Sequence, residues 1–529
     1  MQQSRLISGS RDRGVPREAR EGARGRRARR RALRTTGTIA HPLPWLAAVA
    51  AAFTLAQLVL VVPGLGLGWD ETVYVSQVSH QAPAAFFSAP RARGITFLVA
   101  PVAALTTSTG ALRVYPALLS GAGLFAALWV WRRLLPAPVL AVAGALFASL
   151  WVTLFYGPQV MPNLWVAYGV LAATGCFLRA VRDPGDRWAL AGLGAGVALA
   201  ALMRPTDAVW LVLPLAGAAL LMRRHRIRPR LWLLLLAVLA AGLALGCAEW
   251  VIEAYVRYGG LFARLERASE IQGRLGWYFA VDDHVRALGG RTLCRPCDVP
   301  WKHPVTALWF LALPLLVAGG VWAAARTRHR AAVVLATVVG SALAAPYLFT
   351  VGYAAPRFLL PAYSLLALPV AYGLVRFCVA CGLVRLSRIR RGWRPAVLTL
   401  VAGAVAVHLA IQYRVLEGVA GRVRADTADY ARVAADLRAQ GVRPPCTVSG
   451  TEAIRVAFRT GCASRQVGGH DASITAAELA AVGVHEPVAV LVSGDQDAPS
   501  YARGWRPHPL PDLGRMSHYR AYLSPAATP

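Results

Sequence analysis

Two adjacent carboxylates, Asp70 and Glu71, stand in the run Gly68-Trp69-Asp70-Glu71-Thr72-Val73-Tyr74, soon after the first long apolar stretch. Acids placed there lie at a membrane–water boundary, where a carboxylate can accept the proton of an attacking hydroxyl. The plain alternative is a pair of solvated charges at a helix end, but acids are scarce in the apolar part of the chain. Gly64, Gly66 and Gly68 resemble a fragment of a phosphate-cradling loop; no strand precedes them, so the nucleotide reading is set aside. Four arginines are candidates for a phosphate. Arg91 and Arg93 end the same loop, Arg204 ends a short apolar run, and Arg357 sits in Tyr353-Ala-Ala-Pro-Arg357-Phe358-Leu-Leu-Pro361. A guanidinium offers a planar fork that matches phosphate oxygens, and the ordinary alternative for each is snorkelling to lipid head-groups. Glu249 and Glu253 close another apolar run, as functional ionisable groups or as partners of a nearby arginine. Tyr74 and His80 are acceptor-contact or supporting candidates, with loop surface the alternative for His80.

The elements that must position these residues are set by composition. The chain has 529 residues, 57 basic and 26 acidic, for a net charge of +31, with 56% hydrophobic and 16% charged types. That excess of apolar residues excludes a single water-soluble globule, and it excludes a disordered chain. Strong basicity is often a nucleic-acid signature, but here the charges cluster between long apolar runs, so the pattern is that of a membrane. No nucleic-acid partner is expected.

A spanning helix needs roughly 20 apolar residues. Eleven such stretches are expected, near 44–62, 112–131, 138–156, 161–179, 188–203, 207–222, 231–251, 305–325, 331–350, 358–376 and 396–413. The stretch 188–203 is short, and with its successor it could form a shallow re-entrant pair; 94–108 reads as an interfacial helix. Basic clusters at Arg132–Arg133, Arg179–Arg187, Arg223–Arg230, Arg326–Arg330 and Arg385–Arg394 fall on one side of this arrangement, together with an Arg-rich tail over 1–43. Positive charge marks the cytoplasmic side. The expected organisation is thus a cytoplasmic tail, an all-α polytopic membrane domain over 44–416 with outer loops 63–111 and 252–304, and an extracytoplasmic α/β domain over 417–529. The first span is read as an anchor, not a removed signal.

In the last domain, helical patterns run at 426–440, 451–460 and 474–483, and strand-like runs at 445–449, 487–493 and 517–523. Cys294, Cys297, Cys446 and Cys462 all fall outside, where disulfides persist. Cys294-Arg-Pro-Cys297 reads as a structural disulfide before a zinc half-site or a redox pair, because no second CxxC or His pair lies near. Cys176, Cys247, Cys378 and Cys381 read as apolar fillers in or near spans.

With these residues in place, the sequence resembles the glycosyltransferase-C superfamily, and within it the branch of protein O-mannosyltransferases and the aminoarabinose transferase. Asp70-Glu71-Thr-Val-Tyr74 is similar to that group's Asp-Glu-x-x-Tyr signature, and Leu112-Arg113-Val-Tyr-Pro116 with its following apolar helix is similar to the second span. Ala191–Pro205 is similar to the fifth span, and Pro356-Arg357-Phe358-Leu-Leu-Pro361 to a late Arg-aromatic stretch. The resemblance covers about residues 44–376. It implies an inverting transferase that takes a sugar from a polyprenyl-phosphate lipid to an extracytoplasmic hydroxyl. Asp70 would be the base, Glu71 an assistant or acceptor ligand, and Arg357 the phosphate ligand. The chain departs from the family between Phe86 and Phe97, where a Lys/His-Pro-Pro stretch is replaced by Ala89-Pro90-Arg91-Ala92-Arg93-Gly94, so Arg91 or Arg93 would stand in as phosphate ligand. No metal ligand set is visible, and no cofactor is expected. Two other classes remain open: a transporter or flippase for an envelope lipid, and a silent envelope-binding scaffold, which would tolerate Asp70→Asn.

Overall fold

The computed structural model describes residues 42–224, 230–274, 276–380, 394–494 and 496–528. The tail up to residue 41, the basic residues 226, 228 and 385–391, and Cys381 lie outside the described residues.

The fold is an all-α membrane bundle followed by a small mixed sheet. Helices α1 (Pro42–Val61), α2 (Trp69–Ser76), α3 (Gly94–Ala103) and α4 (Thr109–Val130) open the chain. Then come α5 (Ala137–Ala148), α6 (Trp151–Tyr156), α7 (Asn163–Arg182), α8 (Arg187–Met203), α9 (Pro205–Arg224) and α10 (Leu231–Arg257). The loop helices α11 (Leu261–Ile271) and α12 (Val281–Leu288) precede α13 (Leu308–Ala324), α14 (Arg330–Phe349), α15 (Leu360–Ala380) and α16 (Arg394–Ala439). Among the described residues, nine helices are long and apolar enough to cross a membrane. The other two expected spans are the exceptions. The stretch 138–156 breaks into α5 and α6 at Ser149-Leu150, and α8 has 17 residues. Arg204 alone separates α8 from α9, because Pro205 has no N–H to continue one helix and instead starts the next.

Helices α7 and α15 form the centre of the bundle, each with 83% of its apolar window buried, while the outer helices keep apolar faces exposed. One end of α7 lies beside the loop that carries Asp70 and Glu71. Its other end carries Arg179, which pairs with Asp186 at 2.6 Å beside Arg133. A helix of 20 residues separates the two charge clusters, about 30 Å.

The last helix does not stop where the apolar run ends. α16 runs 46 residues, well past the expected end at 413, because the polar residues that follow are good helix formers with no proline among them until Pro444. The glycine run before α2 seats it. Gly66 N donates to Thr427 Oγ1 at 3.1 Å, and a Cβ at Gly66 would meet that oxygen at 2.4 Å. Arg424 donates to the carbonyls of Leu60 and Pro63 at 2.6 and 2.7 Å, satisfying the end of α1.

The outer domain carries β1 (Thr447–Gly450), α17 (Ala453–Thr460), β2 (Ala463–Ser464), α18 (Ala476–His485), β3 (Val488–Val492), β4 (Arg506–Pro509) and β5 (Arg520–Leu523). Strand order is β2-β1-β3-β5-β4, with β1 parallel to β2 and β3, and β5 antiparallel to β3 and β4. β2 and β4 lie beyond the three expected strands. β2 is two residues long, and Arg506-Pro-His-Pro509 reads as a turn because its prolines cannot donate to a ladder, a pattern tolerated on an edge. Val433, Leu437, Val448, Val456, Leu491 and Leu523 fill the core between helix and sheet. Cys446 is bonded to Cys462 and Cys294 to Cys297. The second disulfide belongs to a strap that pairs with the run before α15: Cys294 N donates to Ala354 O at 2.8 Å and Ala354 N to Cys294 O at 3.2 Å.

Candidate active site

Asp70 sits in the first turn of α2, where the helix N-terminus favours an anion. Two arginines converge on its carboxylate: Arg91 at 3.0 Å and Arg357 at 3.3 Å. Its side chain is 34% exposed. Burial would raise its pKa, but Arg91 and Arg357, with a smaller contribution from Arg204, outweigh that and hold the carboxyl below its ordinary value. Tyr74, one turn further along, is packed edge-on against Phe87 at 5.9 Å, and burial pushes its hydroxyl up to about 12.

Glu71 has a different place from the one expected of it as an assistant or acceptor ligand. It is 3% exposed and faces inward, paired in bidentate fashion with Arg113, itself 1% exposed. Its oxygens also accept from Gly68 N at 2.8 Å and Val160 N at 2.7 Å. Arg113 further donates to the carbonyls of Leu65, Gly66 and Pro158. Consecutive residues in a helix point about 100° apart, so when Asp70 faces the cleft Glu71 must face the bundle. The pair therefore locks the Asp70 loop onto the start of α7.

The four candidate arginines divide. Arg91 and Arg357 meet at Asp70. Arg357 also donates to Thr292 O at 3.0 Å, and its guanidinium lies over the ring of Phe358. Arg204 is the neighbour: it pairs with Asp207 at 3.2 Å and donates to the Tyr347 hydroxyl at 2.9 Å, and that hydroxyl donates to Asp207. Arg93 is drawn away, to Glu253 at 2.7 Å and Glu249 at 3.3 Å, with Gln77 Oε1 at 3.1 Å and the Phe87 ring beneath it. Gly94 lets the start of α3 press against the end of α8, since a Cβ would meet the Leu202 carbonyl oxygen at 2.5 Å. His80 is exposed, four residues beyond the end of α2, and its side chain makes no hydrogen bond or ion pair among the described residues.

Several residues of the site carry no local signal in the sequence. Asp471, in the loop between β2 and α18, reaches from the outer domain to Arg91 at 3.0 Å and accepts from Trp69 Nε1 at 3.2 Å. Arg264 of α11 is fully buried and holds the backbone that presents Arg91. It donates to Ala89 O at 3.1 Å, Arg91 O at 3.0 Å and Trp250 O at 2.6 Å, and pairs with Glu253 at 2.8 Å. Only its place in an outer loop of an arginine-rich chain could have drawn attention to it. Asp207 and Tyr347 join the site through contacts more than a hundred residues apart. Among the described residues, no three His, Cys, Asp or Glu side chains gather to hold a metal ion.

The cleft thus presents one ionised carboxylate between two guanidiniums, with a third cation alongside, under a domain that contributes an acid. It can bind an anion and accept a proton within a few ångström of each other. No family model matches the sequence, and no curated protein matches it. The fold, however, is similar to solved structures. ArnT from Cupriavidus metallidurans superposes with a TM-score of 0.62 when bound to undecaprenyl phosphate and 0.63 in the apo state. In both the identity is 15%, over 92% of this chain and 99% of that one. The archaeal oligosaccharyltransferase AglB from Archaeoglobus fulgidus, in complex with an inhibitory peptide and a dolichol-phosphate, superposes with a TM-score of 0.50 at 13% identity, over 84% of this chain and 69% of that one. Taken with the apolar helices and the small terminal sheet, these likenesses give the chain the glycosyltransferase-C fold of multi-pass membrane proteins.

Proposed function

We propose that the protein is a membrane glycosyltransferase that moves a sugar from a polyprenyl-phosphate lipid to an acceptor hydroxyl at the extracytoplasmic face, with inversion at the anomeric carbon. The observation that carries this reading is the convergence of Arg91 and Arg357 on Asp70 at the mouth of the bundle, in the fold of a protein solved with undecaprenyl phosphate bound. The Arg-rich tail would lie in the cytoplasm, and the domain built on the outer half of α16 would cover the site from outside.

In this reaction the acceptor oxygen attacks the anomeric carbon while the bond from that carbon to the phosphate oxygen breaks. The bonding pair leaves on the phosphate, and Asp70 takes the acceptor proton. Arg91 and Arg357 would stabilise the charge that develops on the departing phosphate, an interaction that strengthens on the way to the transition state. The same two cations explain how donor binding would prime the base. A phosphate placed between them draws on their charge, so Asp70 is less strongly held as the free carboxylate and its proton affinity rises. Glu71 would act at a distance, by fixing the loop through Arg113. Glu249 would balance Arg93 and leave Arg91 as the phosphate ligand of the loop; Tyr74 would line the donor side.

The test is sugar transfer in proteoliposomes supplied with polyprenyl-phosphate mannose or polyprenyl-phosphate arabinose, with wild type beside Asp70→Asn and Arg357→Ala. Turnover that disappears in Asp70→Asn supports the reading. A protein that turns over neither donor, with Asp70→Asn supporting normal growth of a deletion strain, sinks it.

A further inference from the structure

A second feature of the same end of the bundle is a cavity of about 880 Å³ between the strap that follows α12 and the middle of α16. Its size is that of a pocket for a headgroup or a short glycan. Its lining is basic: Arg286, Arg291, Arg295, Lys302 and Arg422 stand against one acid, Asp426. Part of that charge is already engaged. Arg286 pairs with Asp282 at 2.6 Å, Arg422 donates to Gly290 O at 2.6 Å, and Arg295 to Ile271 O at 3.0 Å. The side chains of Arg291 and Lys302 make no hydrogen bond or ion pair among the described residues. Trp301 donates its indole N–H to Asp282 at 2.6 Å and leaves much of its ring exposed on the cavity wall, a surface on which a sugar ring can pack.

The cavity adjoins the reactive cleft. Thr292 lines it, and the carbonyl of Thr292 accepts from Arg357, which in turn reaches Asp70. A molecule held by Arg291 and Lys302 thus lies two contacts, Thr292 and then Arg357, from the carboxylate. The disulfide Cys294–Cys297 and the pairing of Cys294 with Ala354 keep that wall in register with Arg357.

We propose that this cavity receives the acceptor and that the acceptor is anionic: a phosphate- or carboxylate-bearing glycan or lipid headgroup whose hydroxyl faces Asp70. The inference rests on the transferase reading for what the site is used for, but its binding chemistry can be measured without turnover. The probe is inorganic pyrophosphate, titrated calorimetrically into the full-length protein in zwitterionic nanodiscs, at two salt concentrations. Removing two exposed cations in Arg291→Gln/Lys302→Gln is expected to weaken binding about tenfold and to flatten its salt dependence, with the thermal unfolding midpoint unchanged. Arg357→Ala is expected to keep the part of the pyrophosphate binding that the double variant loses, because that arginine faces the donor.

No measurable binding to wild type overturns the proposal. So does binding that is undiminished in Arg291→Gln/Lys302→Gln, or that is lost only in Arg357→Ala, which would place the probe in the donor cleft. Nanodiscs doped with phosphatidylglycerol separate the two sources of such an anion. Competition in wild type and none in the double variant assigns the cavity to a lipid headgroup, and the absence of competition assigns it to a water-borne acidic glycan. A protein that binds pyrophosphate through Arg291 and Lys302 yet transfers no sugar from either donor leaves the cavity standing and removes the transferase reading alone.

Discussion

Replacing either of two neighbouring acids by its amide should give opposite results. The two oxygens of Glu71 each take two donors: Oε1 accepts from Arg113 and Val160 N, and Oε2 from Arg113 and Gly68 N. In Glu71→Gln an amide nitrogen must occupy one of these positions and face two donors, while Arg113, 1% exposed, loses its counter-charge. Breaking a buried pair in this way costs about 3–5 kcal/mol. In Asp70→Asn each oxygen position faces one arginine, and water can reach the 34% of the side chain that is exposed. Arg91 keeps Asp471, and Arg357 keeps Thr292 O, so the stability cost should be about 1 kcal/mol or less. Thermal unfolding in detergent and sugar transfer in proteoliposomes read the two effects separately. Asp70→Asn should unfold near the wild-type midpoint and lose about 10²–10⁴-fold in transfer. Glu71→Gln should unfold well below it and keep part of its activity while folded. A Glu71→Gln protein that folds normally and is inactive, beside an active Asp70→Asn, would refute the assignment of roles.

Other outcomes follow from the same geometry. Arg357→Ala should fold and lose about 10²–10³-fold in kcat, as removal of a donor aimed at developing charge does; a change confined to acceptor KM would exclude it as the phosphate ligand. Asp471→Asn removes an anion that competes for Arg91, so donor KM should fall about fivefold, and a rise would show that Asp471 supports donor binding instead. Cys446→Ser should destabilise the outer domain by about 3 kcal/mol, given a closed loop of 16 residues, read as earlier proteolysis of that domain. Asp70 is held below its ordinary pKa when folded, so its stabilising contribution is complete above the unfolded value and is lost as pH falls through the folded one. The acid limb of kcat/KM should accordingly lie below the usual aspartate range near 3.9, and a limb near pH 6 would point to a different group.

Local chemistry made the spans and Asp70 legible. An apolar run of about 20 residues has few structures open to it in lipid, and an acid pair at its mouth stands out against an apolar background. The end of α16 was hidden because alanine, arginine and glutamate continue a helix as well as leucine does, so a change of polarity was not a change of structure. The sorting of the arginines was hidden for another reason. Arg91 and Arg93 are two residues apart in a loop, and only the positions of Asp70, Glu249 and Glu253, brought in by separate helices, decide which one faces the cleft. Asp471 lies 401 positions from Asp70 in a glycine-rich loop and carries no pattern of its own; its role exists only once α16 has set the sheet above α2.

The 46-residue α16 also sets a mechanical condition on the site. Its outer half, from about residue 418, extends about 33 Å without a joint. A change of ten degrees in how the last span leans would then displace the far end by about 6 Å, more than enough to part Asp471 from Arg91. Lean is one way a spanning helix answers a thicker or thinner bilayer. The gap over Asp70 would thus respond to the lipid itself. Transfer rates measured across a series of acyl-chain lengths should vary in wild type and vary less in Asp471→Asn.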